Sequence, residues 1–138
     1  MNVLIDTNVI LDAIAKRPPF SENAEKIFYL VAAEENVTAS ITANSVTDIY
    51  YLIRKHLKSP EDAKLVLLKL FSLFHIIDVT GADCERALEL NITDYEDALV
   101  ITCAERSKMD YIITRNIKDF SNSPVPSTTP ENFITNFE

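Results

Sequence analysis

Glycine is nearly missing from this chain: Gly81 is the single one in 138 residues. Phosphate-cradling loops of the Walker and dinucleotide kinds need several glycines at fixed spacing, so nucleotide binding by either route is excluded. Cysteine is almost as scarce. Cys84 and Cys103 lack a metal-type spacing and Cys103 lies in a strongly apolar segment, which reads as two free thiols rather than a disulfide or a zinc site. Positive charge is in deficit, with 13 Lys and Arg against 21 Asp and Glu, a formal charge of −8. Broad electrostatic adhesion to nucleic acid or anionic lipid is thereby disfavoured, although a local basic rim is not. The longest apolar segment, Leu65 to Val79, is broken by Lys69 and His75, and the amino-terminal apolar stretch has no basic residues ahead of it and carries Asp6. A soluble, cytosolic protein without a membrane span is expected.

Against these absences, nearly half of the residues are apolar and no Pro/Gly/Ser-rich linker divides the chain, so one domain over residues 1–138 is expected. Strand-like runs fall at Asn2 to Asp6, Val37 to Ile41, His75 to Val79 and Asp110 to Thr114, with a weaker fifth near Val125 to Ser127. Helical patterns separate them, at Thr7 to Ala15, Ser21 to Glu34, Asn44 to Leu57, Pro60 to Phe74, Ala82 to Leu90, Asp94 to Ser107 and Glu131 to Asn136. This alternation predicts an α/β fold with a mostly parallel sheet of four to five strands. In segment 60–74, Leu65, Leu68 and Leu73 lie outside the main apolar stripe, so its apolar surface is wider than one core contact requires and suits either a face toward another chain or a helix clamped between core neighbours.

Carboxylates sit in pointed places. "LIDTN" is an apolar run, Val3-Leu4-Ile5, that reads as a strand buried on both faces and ends on Asp6 at the carboxyl edge, where ligands of open α/β sheets bind. Capping of the next helix by Asp6 or Thr7 is the competing explanation. In "SVTDIYYLIRK", Val46, Ile49, Tyr50, Ile53 and Leu57 form one stripe and Asp48 lies across from it, facing solvent or a groove. In "TDYEDALVITCAE", Thr93 and Glu96 have the spacing of a capping box, Asp94 is a second cap candidate, and Asp97 lies on the side of Ile101 and Ala104, at the interior edge. "DYIITRNIKDF" repeats the first design, a strand ending in Thr114, Arg115, Asn116 and Asp119. Capping accounts for each residue separately; convergence of several oxygen donors at one sheet edge would suit a hard cation such as Mg²⁺ or Mn²⁺.

In order and spacing, "LIDTNVILD", "ITANSVTDIYYLIRK", "DYEDALVITCAE" and "DYIITRNIKDF" resemble a PIN domain, the nuclease fold that includes the VapC-like toxins of bacterial toxin–antitoxin pairs. The resemblance implies a three-layer α/β/α fold and metal-dependent hydrolysis of RNA phosphodiesters. It places Mg²⁺ or Mn²⁺ on Asp6, Asp48, Asp97, Asn116 and Asp119, with Thr7, Asn8 and Thr114 orienting the carboxylates. Two departures stand out: Asp48 where Glu is common, one methylene shorter, and Asn116 after "TR" where Asp is common. Substrate contacts are expected from local cations, Arg115 foremost, with Arg54 and Lys118, and with Lys16, Arg17 and Lys55 as further candidates. His56 and His75 read as surface and strand-edge residues. Partners implied are RNA, an antitoxin protein and, through segment 60–74, a second copy of the chain. A PIN fold with a weakened site, serving in binding or assembly, is the alternative. A receiver-like domain fits less well: it needs a paired acidic site on the first strand and a Lys on the last, where this chain has one Asp and an Arg.

Overall fold

The structure, a computed structural model, describes residues 1–137. Five strands, β1 (Asn2–Ile5), β2 (Thr38–Thr42), β3 (His75–Ile77), β4 (Tyr111–Ile113) and β5 (Ser127–Thr128), form one sheet in the order β3-β2-β1-β4-β5. Every pairing is parallel, including that of β5, the weakest of the expected strands, which pairs through Ser127 and Thr128. The helices are α1 (Thr7–Ile14), α2 (Ser21–Ala33), α3 (Ala43–Leu57), α4 (Pro60–Leu73), α5 (Gly81–Ala87), α6 (Tyr95–Arg106) and α7 (Pro130–Phe137), with a 3₁₀ turn at Ile117–Phe120.

Three layers follow from the period-two alternation of β1. Val3 and Ile5 face one core with Val9, Ile27, Ile49 and Leu70 from α1 to α4, while Leu4 faces another with Val100, Ile101 and Ala104 from α6. All three strand residues are essentially inaccessible, as the unbroken apolar run requires. The chain first builds β1, β2 and β3 outward in one direction, then crosses to lay β4 on the other flank of β1. This makes the β1/β4 boundary the switch point of the sheet, where a crevice opens at the carboxyl edge.

Most boundaries agree with the sequence reading to within one residue; three differ by more, the start of β5, at Ser127 rather than Val125, and the ends of α5 and β3. Helix α5 stops at Ala87 rather than Leu90, because residues 88–90 tighten into i→i−3 turns, with Leu88, Glu89 and Leu90 N–H groups donating to Glu85, Arg86 and Ala87 carbonyls. Strand β3 ends at Ile77 rather than Val79. Thr80 then opens α5 in a reciprocal capping box with Asp83. Asp83 is buried and its carboxyl is held down to about 2, chiefly by the Arg106 guanidinium, whose Nε donates at 2.9 Å. This pair clamps α5 to α6 beneath the sheet. On α4, Ala63 and Leu70 are buried, whereas Leu65 and Leu68 remain 56% and 63% exposed, which is the excess apolar surface expected from segment 60–74. No helix among the described residues is long and apolar enough to cross a membrane.

Candidate metal centre at the sheet edge

Asp6 occupies the N-cap position of α1, yet its side chain makes no capping hydrogen bond. The capping explanation for Asp6 therefore fails, and its carboxylate turns into the crevice. There the Thr114 hydroxyl, at the end of β4, donates to Oδ2 at 2.8 Å, and the same hydroxyl oxygen accepts the Asn116 N–H at 3.1 Å. A backbone bond from Asp6 N–H to the Ile113 carbonyl, 2.9 Å, fixes the two strand ends against each other. Burial raises the Asp6 carboxyl above its ordinary range, opposed by the Thr114 hydroxyl, the Thr7 N–H and the charge of Arg115.

A cavity of about 570 Å³ lies over this carboxylate. Thr7 and Asn8 from α1, Asp48 from α3, Asp94, Glu96 and Asp97 around the start of α6, and Asn116 and Asp119 from the 3₁₀ segment all line it. Leu11, Tyr51, Leu52 and Val100 make its apolar walls. The five residues the sequence put forward as ligands, Asp6, Asp48, Asp97, Asn116 and Asp119, are thus brought together, and so are Thr7, Asn8 and Thr114. Asn116 enters the 3₁₀ turn without capping it by its side chain.

Asp97 is the most perturbed carboxyl of the group, pushed up to about 7 by burial and then by the charges of Asp94, Asp6, Asp119 and Glu96. Glu96 is also raised, by desolvation first and next by a hydrogen bond with Asp48 and the charge of that residue. Among the described residues no Lys or Arg lines this cavity, and the charge of Arg115, acting on Asp6 from outside it, offsets only part of the crowding.

Here the sequence reading needs a correction. Thr93 and Glu96 do not form a capping box. The cap of α6 is Asp94, whose Oδ1 accepts the Asp97 N–H at 3.0 Å. The helix therefore begins one residue later than a Thr93 cap would place it, and Glu96 is released from a structural role to face Asp48. Asp94 and Glu96 are the acidic residues that sequence reasoning left out of the site; the dense "DYED" run was the available signal.

The basic candidates are placed elsewhere. Arg54 and Lys118 are exposed and do not line the acidic cavity. Arg115 is turned away from it: Nε donates to Oδ2 of buried Asp12 at 2.8 Å, and the guanidinium lies 4.3 Å from the centre of the Phe20 ring. Arg17 and Lys55 instead line a neighbouring groove that shares Leu11 and Leu52 with the acidic cavity.

The sequence profile of the PIN domain family matches residues 2–118, nearly the whole α/β framework just described. The chain belongs to the PIN domain family. Solved structures of similar shape include VapBC2 from Rickettsia felis bound to a promoter DNA fragment, 25% identical with a TM-score of 0.70, covering 94% of this chain and 98% of that one. A toxin–antitoxin complex from Klebsiella pneumoniae is 23% identical with a TM-score of 0.68, covering 93% and 97%. VapC20 from Mycobacterium tuberculosis, described as a sarcin–ricin loop cleaving toxin, shares the fold at 13% identity and a TM-score of 0.61, covering 80% and 86%. No curated protein sequence matches significantly.

The donors of this PIN domain are oxygens throughout, four of the five nominated ligands being carboxylates, which fits a hard divalent cation. As the side chains stand, no group of three or more His, Cys, Asp or Glu among the described residues is drawn close enough to hold one. Burial first, and like charges after it, raise the Asp97 and Glu96 carboxyls of this group.

Proposed function

We propose that this PIN domain is a metal-dependent endoribonuclease and the toxin of a toxin–antitoxin pair, acting in the cytosol. The observation that carries the reading is the convergence of Asp6, Asp48, Asp97, Asn116 and Asp119 from four separate segments on the switch-point crevice, with Asp97 raised to about 7 by burial and by its carboxylate neighbours. These residues would hold Mg²⁺ or Mn²⁺. When bound, the ion supplies Lewis acidity, lowering the pKa of a coordinated water and offsetting charge on the scissile phosphate.

The rest is done by the chain. Thr114 fixes the Asp6 carboxylate through its hydroxyl and ties Asn116 to the same atom, so two ligand-bearing segments share one anchor. Asp94 holds the first turn of α6 and with it the backbone position of Asp97. Glu96 stands beside Asp48, the shorter carboxylate in the position where Glu is common, and its own carboxyl is raised in part by that neighbour. Leu11, Leu52 and Val100 limit water on one side of the cavity. RNA phosphates would be gripped from the adjoining groove by Arg17 and Lys55, with exposed Arg54 and Lys118 at longer range. The same groove, walled by Leu11, Ile14, Leu52 and Ile53, would take an apolar antitoxin segment, and the exposed Leu65, Leu68 and Phe71 of α4 would meet a second copy.

Cleavage of RNA by the purified chain should require Mg²⁺ or Mn²⁺, stop in EDTA, and fall by orders of magnitude in Asp6→Asn or Asp97→Asn. Equal cleavage in EDTA would overturn the proposal. A weakened PIN fold serving as a binding module draws on one observation, that no three acidic groups stand in ligating geometry. Failure of the parent to bind Mn²⁺ would favour it.

A further inference from the structure

A second cavity, of about 350 Å³, is lined by Asp12, Phe20, Asn23, Arg115, Thr129 and Glu131, with Pro19 and Pro130 at its walls. We infer that it is a subsite for an unpaired nucleobase of the RNA strand being cut. This inference rests on the nuclease reading and names what that site recognises beside the scissile phosphate.

Position comes first. Arg115 lies between Thr114, which is bonded to Asp6, and Asn116, which lines the acidic cavity. Asp12 lies one helical turn beyond Asn8 on α1, and residues so spaced stand about 6 Å apart. A strand crossing the acidic crevice would therefore bring a flanking nucleotide to this cavity.

Chemistry selects a base over a phosphate. Phe20 is 42% exposed at the cavity, with the Arg115 guanidinium stacked 4.3 Å from its ring centre. Aromatic rings and guanidinium planes are the surfaces on which unpaired bases stack. Asp12 pairs with Arg115 at 2.8 Å and with Arg17 at 3.7 Å, and Glu131 balances the remaining positive charge, so the cavity offers an anion little. It does offer a base edge both kinds of partner. The Asn23 amide donates and accepts, Glu131 accepts, and the Arg115 N–H groups not directed at Asp12 donate. The volume is sufficient for a nucleoside.

Two measurements test this on the full chain. In EDTA, where no strand is cut, adenosine, cytidine, guanosine and uridine are titrated separately at millimolar concentration, with inorganic phosphate as a comparison. NMR signals of the Phe20 ring, the Asn23 amide and Arg115 Nε–H should move with at least one nucleoside and stay fixed with phosphate. With Mn²⁺, an oligoribonucleotide lacking one base beside the cut bond should show KM raised about 5-fold or more. Phe20→Leu should raise KM equally on the intact strand and not further on the abasic one. Signals that move with phosphate alike, or with no nucleoside, overturn the subsite, as does an abasic strand cut as readily as the intact one. If nucleosides move these signals and RNA is never cut, the subsite stands and the nuclease reading fails; cutting without any such shift gives the reverse.

Discussion

Burial and neighbouring carboxylates push the Asp97 carboxyl up to about 7, against 3.8 for an ordinary aspartate. Its folded-state value lies above its unfolded one, so between these two pH values the folded protein holds a proton that the unfolded chain has lost. Stability contributed by that proton is present below about 4 and lost as the pH rises through about 7. Without metal, the unfolding free energy should therefore fall by an amount of order 1–2 kcal/mol after solvent screening as the pH is raised from about 5 to about 8, and the melting temperature with it. Asp97→Asn should flatten this dependence and melt at or above the parent at pH 8, as followed by circular dichroism. An unchanged pH dependence in the variant would assign the instability to another group. Asp6 and Asp97 could be read from the sequence because each terminates or opens an apolar element. The commitment of Arg115 to Asp12 could not, since those residues are separated by 103 positions and meet only when β4 is laid beside β1.

Helix α6 shows what an element boundary decides. Thr93 and Asp94 are both good caps, and the choice between them decides whether Glu96 is the third helical residue, which reaches back to the cap, or the second, which does not. With Asp94 as cap, Glu96 comes round to Asp48; the local spacing alone left the alternatives equivalent. Asp94→Ala should cost about 1 kcal/mol through loss of the bond to the Asp97 N–H, and should lower the Asp97 titration point by removing the nearest-ranked charge. Thr93→Ala should change neither. Thermal melts with an NMR pH titration of the Asp97 carboxyl check both, and a larger loss at Thr93 would restore the capping box. At the other element end, Asp119→Asn should weaken Mn²⁺ binding more than Asn116→Ala, because a carboxylate contributes a full charge and an amide a dipole. If Asp119→Asn binds as the parent does and only melts earlier, Asp119 is structural.

On the scale of the whole molecule, the order of strands and helices along the chain was legible, because short apolar runs alternate with amphipathic segments. Strand order was not. Local pattern carries no record of which flank of β1 receives β4, and that choice creates the crevice in which the carboxylates meet. The exposed Leu65, Leu68 and Phe71 belong to this scale as well. Sedimentation should show a dimer at micromolar concentration that Leu68→Glu dissociates; a parent that remains monomeric would leave this face without a second copy. The account turns on the claim that residues from four separate segments make one cation site, and calorimetric titration with Mn²⁺ tests it without reference to any substrate. The parent should bind Mn²⁺ with affinity rising as the pH passes through about 7, since binding must displace the proton on Asp97. Asp6→Asn and Asp97→Asn should each weaken binding by about tenfold or more while remaining folded. A folded parent that binds no Mn²⁺, or two variants that bind it as the parent does, would contradict the account.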